Sequence, residues 1–428
     1  MTCEQFLEEL DKALGNMRKQ QKDEILEDFS DHIRLARIEG KSDSEILEAL
    51  GDPVAIASQF LQDSRGKNDN FNESRSNGPD PRKSHEERSS DGWISISRSF
   101  DASISAIKAD FKRCNMVFES GSRSGIQVSI VGKTKGPIKF LESETSLSVL
   151  EDTPFNPLSF MLWGKISLDV KITVPQGWAG SFVGHVNTGS ASASGAKAKS
   201  VSLKVEVGDL SAKNCAVDEL ALTNNVGNIE IDRCAFGECE AKLSVGNLKS
   251  SDCKGLLKAT NQTGDVTIKR HVGNISAFNS IGEVHATDIA GAAAIQTSTG
   301  DIHVKAERLE ATIKTSIGEI DAEAGEAADL KVETNTGDIH ARISRLTGDC
   351  RISSGIGEVK LETDFVQGSI SIKTGSGDIK AYLPRDAQLK IRAESGMGNI
   401  KNEFISNPDA ACSISANTRM GNIAIKKR

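Results

Sequence analysis

The sequence predicts a mostly β protein, a parallel β-solenoid (β-helix), preceded by a small all-α domain. Three observations predict it. A Gly-[Asp/Asn/Glu]-[Ile/Val/Leu] motif recurs at a near-constant interval from about residue 189 to the end, the mark of a stacked repeat architecture. Apolar and polar residues alternate with period two on both sides of each glycine, as in strands with one buried face. Aromatic residues are only 4% of the 428, with one tyrosine (Tyr382), against 38 glycines. Thin stacked β layers suit that composition better than a thick globular core.

The repeat glycines in one phase are Gly208, Gly227, Gly246, Gly264, Gly282, Gly300, Gly318, Gly337, Gly357, Gly377, Gly398 and Gly421, in steps of 19, 19, 18, 18, 18, 18, 19, 20, 20, 21 and 23 residues. Gly273 and Gly348 fall out of phase and are read as extra turns. Two places after each glycine the residue is always apolar, from Leu210 and Ile229 to Ile400 and Ile423. These residues are predicted to face inward. Three places before it the same inward phase turns polar, as at Asn261, Asn279, Thr297, Thr315, Thr334, Ser354 and Thr374. Polar groups placed inside need partners, so a hydrogen-bonded Asn/Thr ladder is expected beside the corner. The glycine itself supplies a backbone conformation that other residues resist.

A second rhythm overlies the first. Thr263-Gly264-Asp265 alternates with Ile281-Gly282-Glu283, and the pattern continues through Thr299-Gly300-Asp301 and Ile317-Gly318-Glu319. If two units made one coil of about 37 residues, each coil would have two unlike corners. That reading predicts Gly264 stacked over Gly300 rather than over Gly282, at about the 4.8 Å strand spacing.

Residues 1–62 read as the helical domain. Thr2 and Gln5 fit a capping box ahead of Phe6, Leu7, Leu10 and Leu14, which share one helical face. A second helix carries Ile25, Leu26, Phe29 and Ile33. Ser42 and Glu45 fit another capping box, and Gly51-Asp52-Pro53 breaks the chain before a last short helix. Residues 63–90, rich in Ser, Asn, Arg, Asp, Pro and Gly, cannot bury a core and read as a linker. Residues 91–188 read as a β lead-in and N-terminal cap, since a bare solenoid end would be an open sheet edge. Residues 189–428 are the solenoid.

Charge and composition exclude several classes. The net charge is −8; residues 1–62 hold 14 Asp/Glu and 7 Lys/Arg, hence −7, which leaves about −1 for the rest. No basic field is present for nucleic acid. No apolar run is long enough to span a membrane. The start, Met1-Thr2-Cys3-Glu4, lacks a basic and then apolar leader. Eight cysteines without a compact framework suit reduced thiols. The expectation is therefore a cytoplasmic chain without a cofactor.

Two resemblances follow from these residues. The run Phe6-Leu7, Ile25-Leu26, Asp28-Phe29, His32-Ile33, Gly40-Lys41-Ser42, Glu45-Ile46-Leu47 and Leu50-Gly51-Asp52-Pro53 resembles the bacterial HAAS domain. That resemblance implies a link to PadR-type transcription regulators, in chains that usually continue into membrane helices. Residues from about 91 to 428, with Val174-Pro175-Gln176-Gly177 and the repeated Thr-Gly-Asp-Ile and Ile-Gly-Glu-Val steps, resemble the Toastrack-type family of adhesin-named β-repeat proteins. It implies a β-solenoid without assigned catalysis, and possible association with the cell envelope.

Candidate sites were weighed against structural readings. Cys215, Cys234 and Cys253 each lie seven residues after a repeat glycine, and His271 takes the fourth such place. Three Cys and one His are a zinc set in type, but four ligands spaced linearly in one column cannot surround an ion tetrahedrally, and buried filler is the expected role. Asp265, Asp301, Asp338 and Asp378 could hold calcium, yet turn chemistry explains Gly-Asp equally well. His303 and His340, with His285 nearby in the pattern, read as a solvated strand face. No nucleophile elbow or zinc-protease motif is present. The favoured function is a non-enzymatic scaffold whose head docks a protein partner through residues 2–61, with the solenoid as platform. The alternative is a surface adhesin or ligand-binding β-helix. A β-helix carbohydrate-active enzyme is third.

Overall fold

The computed structural model describes residues 2–15, isolated positions between 22 and 57, and residues 85–88, 93–134, 136–152 and 168–428. They fall into two compact units, a helical head and a β unit that begins at Arg82.

In the head, a helix spans Cys3–Ala13. Its start is set by the capping box: Gln5 N–H donates to Thr2 Oγ1 at 3.3 Å and Thr2 N–H to Gln5 Oε1 at 2.8 Å, satisfying two amides the first turn would orphan. Cys3, Phe6, Leu10 and Leu14 bury one stripe against Phe29, Ile33 and Ala57. The capping box at Ser42 and Glu45, and the core positions Ile25, Ile46, Phe60 and Leu61, lie outside the described residues.

The β unit is a parallel solenoid of about 13 coils. One repeat makes one coil. Leu210 pairs with Ile229, Ile229 with Leu248, Leu248 with Val266, Val266 with Val284 and Val284 with Ile302, each one unit on. Gly264 therefore lies directly beneath Gly282, not Gly300, which corrects the paired-unit expectation. The corners are in one column, and the Thr-Gly-Asp/Ile-Gly-Glu rhythm is an alternation of chemistry along it. Asp265 Oδ1 accepts the Glu283 N–H at 3.0 Å, and Asp301, Asp338 and Asp378 do the same for Glu319, Glu358 and Asn422 at 2.7 Å. The short carboxylate reaches the next coil's backbone. The longer glutamate turns outward instead, as in the 2.7 Å pair of Glu358 with Lys380. In earlier coils, where every residue in the column is short, each one bridges: Asp209 to Asn228, Asn228 to Asn247 and Asn247 to Asp265.

The stacked column explains the glycine. All twelve repeat glycines have φ between +119° and +150°, a region L side chains avoid. A Cβ on Gly300 would lie 2.1 Å from the Gly282 carbonyl oxygen. Gly273 stacks on Gly255 and under Gly291, and Gly348 stacks under Gly368. These out-of-phase glycines mark a second glycine column within the coil rather than extra turns.

The inward columns behave as the alternation predicts. The apolar residue two after each glycine is buried in every coil except at Ile400. The polar ladder forms: Asn261, Asn279, Thr297, Thr315, Thr334, Ser354 and Thr374 each donate to the carbonyl of the glycine one coil earlier, at 2.9–3.4 Å.

At the N-terminal end, strand Ala106–Gly121 forms the first coil, pairing in parallel with Ser181–Thr188 and Ala191–Ser194. Its other edge is covered by Ser146–Glu151 and Leu168–Pro175. Phe118 stacks on Phe182 at 4.2 Å between ring centroids, and Trp178 Nε1 donates to Ile104 O at 2.6 Å. A strand at His85–Arg88 pairs antiparallel with Ile94–Ser97, so strand structure appears inside the stretch read as linker; an edge position accepts a polar sequence there.

The C-terminal end departs from sequence order. Strand Cys412–Met420 pairs with Ser369–Ser376 on one side and with Leu389–Met397 on the other. Gly421 rests on Gly377, and Gly398 on Gly421. The chain thus builds its outermost coil with residues 389–402 and then inserts its last strands beneath it. Ile400 is exposed because no coil covers it.

Candidate functional site

Outward strand positions form ladders of charge. Lys305 and Arg342 pair with Glu323 at 3.0 and 2.8 Å, and Lys360 pairs with Glu362 at 2.6 Å. Beside them runs a column of different composition. His285, His303, Asp321 and His340 are direct neighbours on successive coils. The rings of His285 and His303 stack at 4.8 Å and 13°. His303 Nδ1 lies 3.2 Å from Asp321 Oδ2; His340 Nδ1 lies 3.1 Å from Glu319 Oε1 and 3.4 Å from Asp321 Oδ1. At the far end His285 Nε2 is 2.9 Å from Glu283 Oε2. The column borders a groove of about 420 Å³. The single-coil repeat creates this site: strand pairing fixes the rows, and the Ile-Gly-Glu corners deliver Glu283 and Glu319 beside it. Sequence analysis picked out the histidines and missed the three carboxylates, because the paired-unit coil separates His285 from His303 and leaves Asp321 out of the column. The recurring His three places after the glycine, with an Asp in that same place at 321, was the available signal.

The cysteine column is a different environment. Cys215, Cys234, Cys253 and His271 occupy successive coils, all buried; the paired-unit reading would have split them between two sides. Their thiols are spent on backbone carbonyls: Cys234 Sγ sits 3.4 Å from Ala212 O, and Cys253 Sγ 3.1 Å from Ser251 O. A side-chain hydrogen bond with Cys234 lowers the Cys215 thiol pKa, and the same bond pushes Cys234 up to about 11, against the pull of the Cys215 N–H that donates to Cys234 Sγ at 3.4 Å. Among the described residues, the three-ligand groupings compact enough for a metal lie on the outward histidine column, not here. His271 Nε2 lies 3.0 Å from Gly255 O and its ring stacks on Phe236. Burial, only partly offset by that bond, lowers its pKa below 6.5. The unfolded chain then binds a proton that the folded chain refuses, so stability is full above pH 6.5 and declines as pH falls toward the folded pKa. In His271→Leu the decline of denaturation midpoint below pH 6.5 is expected to be shallower than in the parent; an unchanged slope refutes the assignment.

At the end of the strand Ile126–Lys133, Thr134 is buried and donates to Glu151 Oε1 at 2.9 Å. On the head, Leu7, Glu8, Asp11, Lys12, Leu26 and Ser30 line a shallow groove of about 480 Å³. Asp11 is engaged by Lys22 at 2.9 Å, and Glu8 and Glu9 face outward. No helix among the described residues is long and apolar enough to cross a membrane.

Comparison with known proteins places both parts. No curated protein sequence matches the chain. Solved structures with a similar fold include a candidate cell adhesion protein of Clostridium sporogenes (11% identity, 81% of this chain, all of that one), a candidate adhesin of Bacteroides fragilis (16%, 67% and 96%) and a candidate lipid-binding protein of Parabacteroides distasonis (13%, 67% and 95%), each at a TM-score of 0.21. At that similarity they carry no functional argument. The HAAS family model matches residues 5–59 and the Toastrack DUF4097 model matches residues 104–287 and 261–426. The chain thus belongs to the Toastrack DUF4097 family and carries a HAAS domain ahead of its solenoid.

Proposed function

We propose that the protein is a non-enzymatic scaffold: the HAAS head docks a protein partner, and the solenoid serves as a rigid platform. The observation that carries this reading is the head itself. It has its own core around Phe6, Leu10 and Phe29, so it is a module in its own right. Its groove joins an apolar floor at Leu7 and Leu26 to a charged rim of Glu8, Asp11 and Lys12. An apolar centre with a charged rim is how protein interfaces are built, and the exposed Glu8 and Glu9, on a head of net charge −7, favour a basic partner surface. By the HAAS resemblance, a PadR-type transcription regulator is the first partner to test.

The test is titration of the full chain with a purified PadR-type regulator from the same bacterium. Glu8→Lys/Glu9→Lys is expected to weaken the complex at least tenfold. A solenoid variant such as Lys258→Ala should leave it unchanged. Equal affinity in the parent and the head variant, or no complex, overturns the docking reading.

A further inference from the structure

We propose that the outward histidine column is a binding site for a divalent transition-metal ion of the zinc, nickel and cobalt class, with His303, Glu319, Asp321 and His340 as its ligands. Four observations carry the proposal.

The first is convergence. Glu319, Asp321 and His340 each offer a donor atom, and these atoms lie within 4.8 Å of one another. His303, on the coil below, reaches Asp321 at 3.2 Å. Ligands around a zinc-sized ion sit about 2.0–2.2 Å from it, so their mutual separations are about 3 Å; half-exposed side chains on fixed strands close the remainder by small rotations. A second grouping, Glu283, His285 and His303, continues the column and meets the same distance limit.

The second is charge. Elsewhere on this face the carboxylates Glu323 and Glu362 pair with Lys or Arg. The ion pairs of Asp321, Glu319 and Glu283 are all with histidine. The same column continues into Lys360 and then Lys380, so histidine replaces the expected cation only across this short stretch. Each imidazole leaves the carboxylates uncompensated when it is neutral, and neutral imidazole is the form that binds metal.

The third is the donor set. Two imidazoles and two carboxylates, without a thiolate, suit zinc, nickel or cobalt rather than the all-oxygen sites of calcium and magnesium. The fourth is position. His303, Asp321 and His340 border an open groove, whereas the thiols of Cys215, Cys234 and Cys253 are buried and bonded to backbone. Three coils also contribute in succession, so a bound ion would clip them together.

The test uses the full chain, tag removed, in chelator-treated buffer. Cobalt(II) chloride is titrated while the visible d–d bands are recorded, and zinc chloride and calcium chloride are titrated by calorimetry. Wild-type protein is expected to bind cobalt and zinc, and not calcium. His340→Ala and Asp321→Asn, both at half-exposed strand positions, should each leave the circular dichroism spectrum unchanged and weaken binding at least tenfold. Cys234→Ser should bind as the wild type does. Binding that survives in His340→Ala/Asp321→Asn, binding lost in folded Cys234→Ser, a preference for calcium, or no binding at all would overturn the proposal.

Discussion

Gly300→Val is expected to cost about 3 kcal/mol or more of unfolding free energy, because two effects coincide at one atom. The backbone there sits at φ +136°, where a β-branched residue carries about 1–3 kcal/mol of strain. The added Cβ also meets the Gly282 carbonyl at 2.1 Å, and that carbonyl cannot retreat, since the Thr297 hydroxyl donates to it at 3.4 Å. In a stacked array each coil touches only its neighbours, so the damage should localise to the interface between the coils of Gly282 and Gly300. Gly195 is the matched control. Its φ is +59° and nothing lies within 4 Å of a Cβ, and Asn214 holds the equivalent place one coil on at φ 55°. Gly195→Asn is therefore expected to change stability by about 0.5 kcal/mol or less. Chemical denaturation of the two variants checks both values; comparable losses would contradict the stacked-corner account.

Deletion of residues 412–428 is expected to unfold more than it removes. Ile414, Ile423 and Ile425 are buried between the coil of residues 369–383 and the outermost coil of 389–402. At about 1.5–3 kcal/mol for each buried isoleucine, their removal withdraws about 5 kcal/mol or more. The segment 389–402 then loses the strands it pairs with in the fold, and amide exchange there should accelerate by about a thousandfold or more. If the coils were stacked in sequence order, the deletion would shorten the end and leave 389–402 protected. Hydrogen exchange across 389–402 distinguishes the two outcomes.

These two regions also mark where the sequence was legible. The side of every column was readable, because strand alternation has period two and burial enforces it: Ile302 and Ile320 are inside, His303 and Asp321 outside. The Asn/Thr ladder was readable because an inward polar residue must find a partner, and the corner carbonyl is the one within reach. Coil size was not. The alternation of Asp301 and Glu319 looks like two environments, yet it arises from one environment filled in turn by a side chain that reaches the next backbone N–H and one that turns away from it. The order of the last coils was not readable either. Parallel strands in matching register carry the same inward pattern, so 389–397 and 412–420 fit the edge at 369–376 equally well in the sequence alone. The same ambiguity hid the candidate site, since His285, His303, Asp321 and His340 become neighbours only when one repeat is one coil.

That single-coil stacking is the central claim, and engineered disulfides test it directly. Thr263 pairs with Ile281, and Ile281 with Thr299, on an exposed column. Adjacent parallel strands lie about 4.8 Å apart, inside the Cα separation of about 4.4–6.8 Å that a disulfide accepts. Two coils lie at about twice that distance and exceed it. Mild oxidation of Thr263→Cys/Ile281→Cys is expected to form the intramolecular bond, read by mass spectrometry of the digested protein. Thr263→Cys/Thr299→Cys is expected to stay reduced. A bond in the second variant and none in the first would contradict the fold, and with it the histidine column built on it.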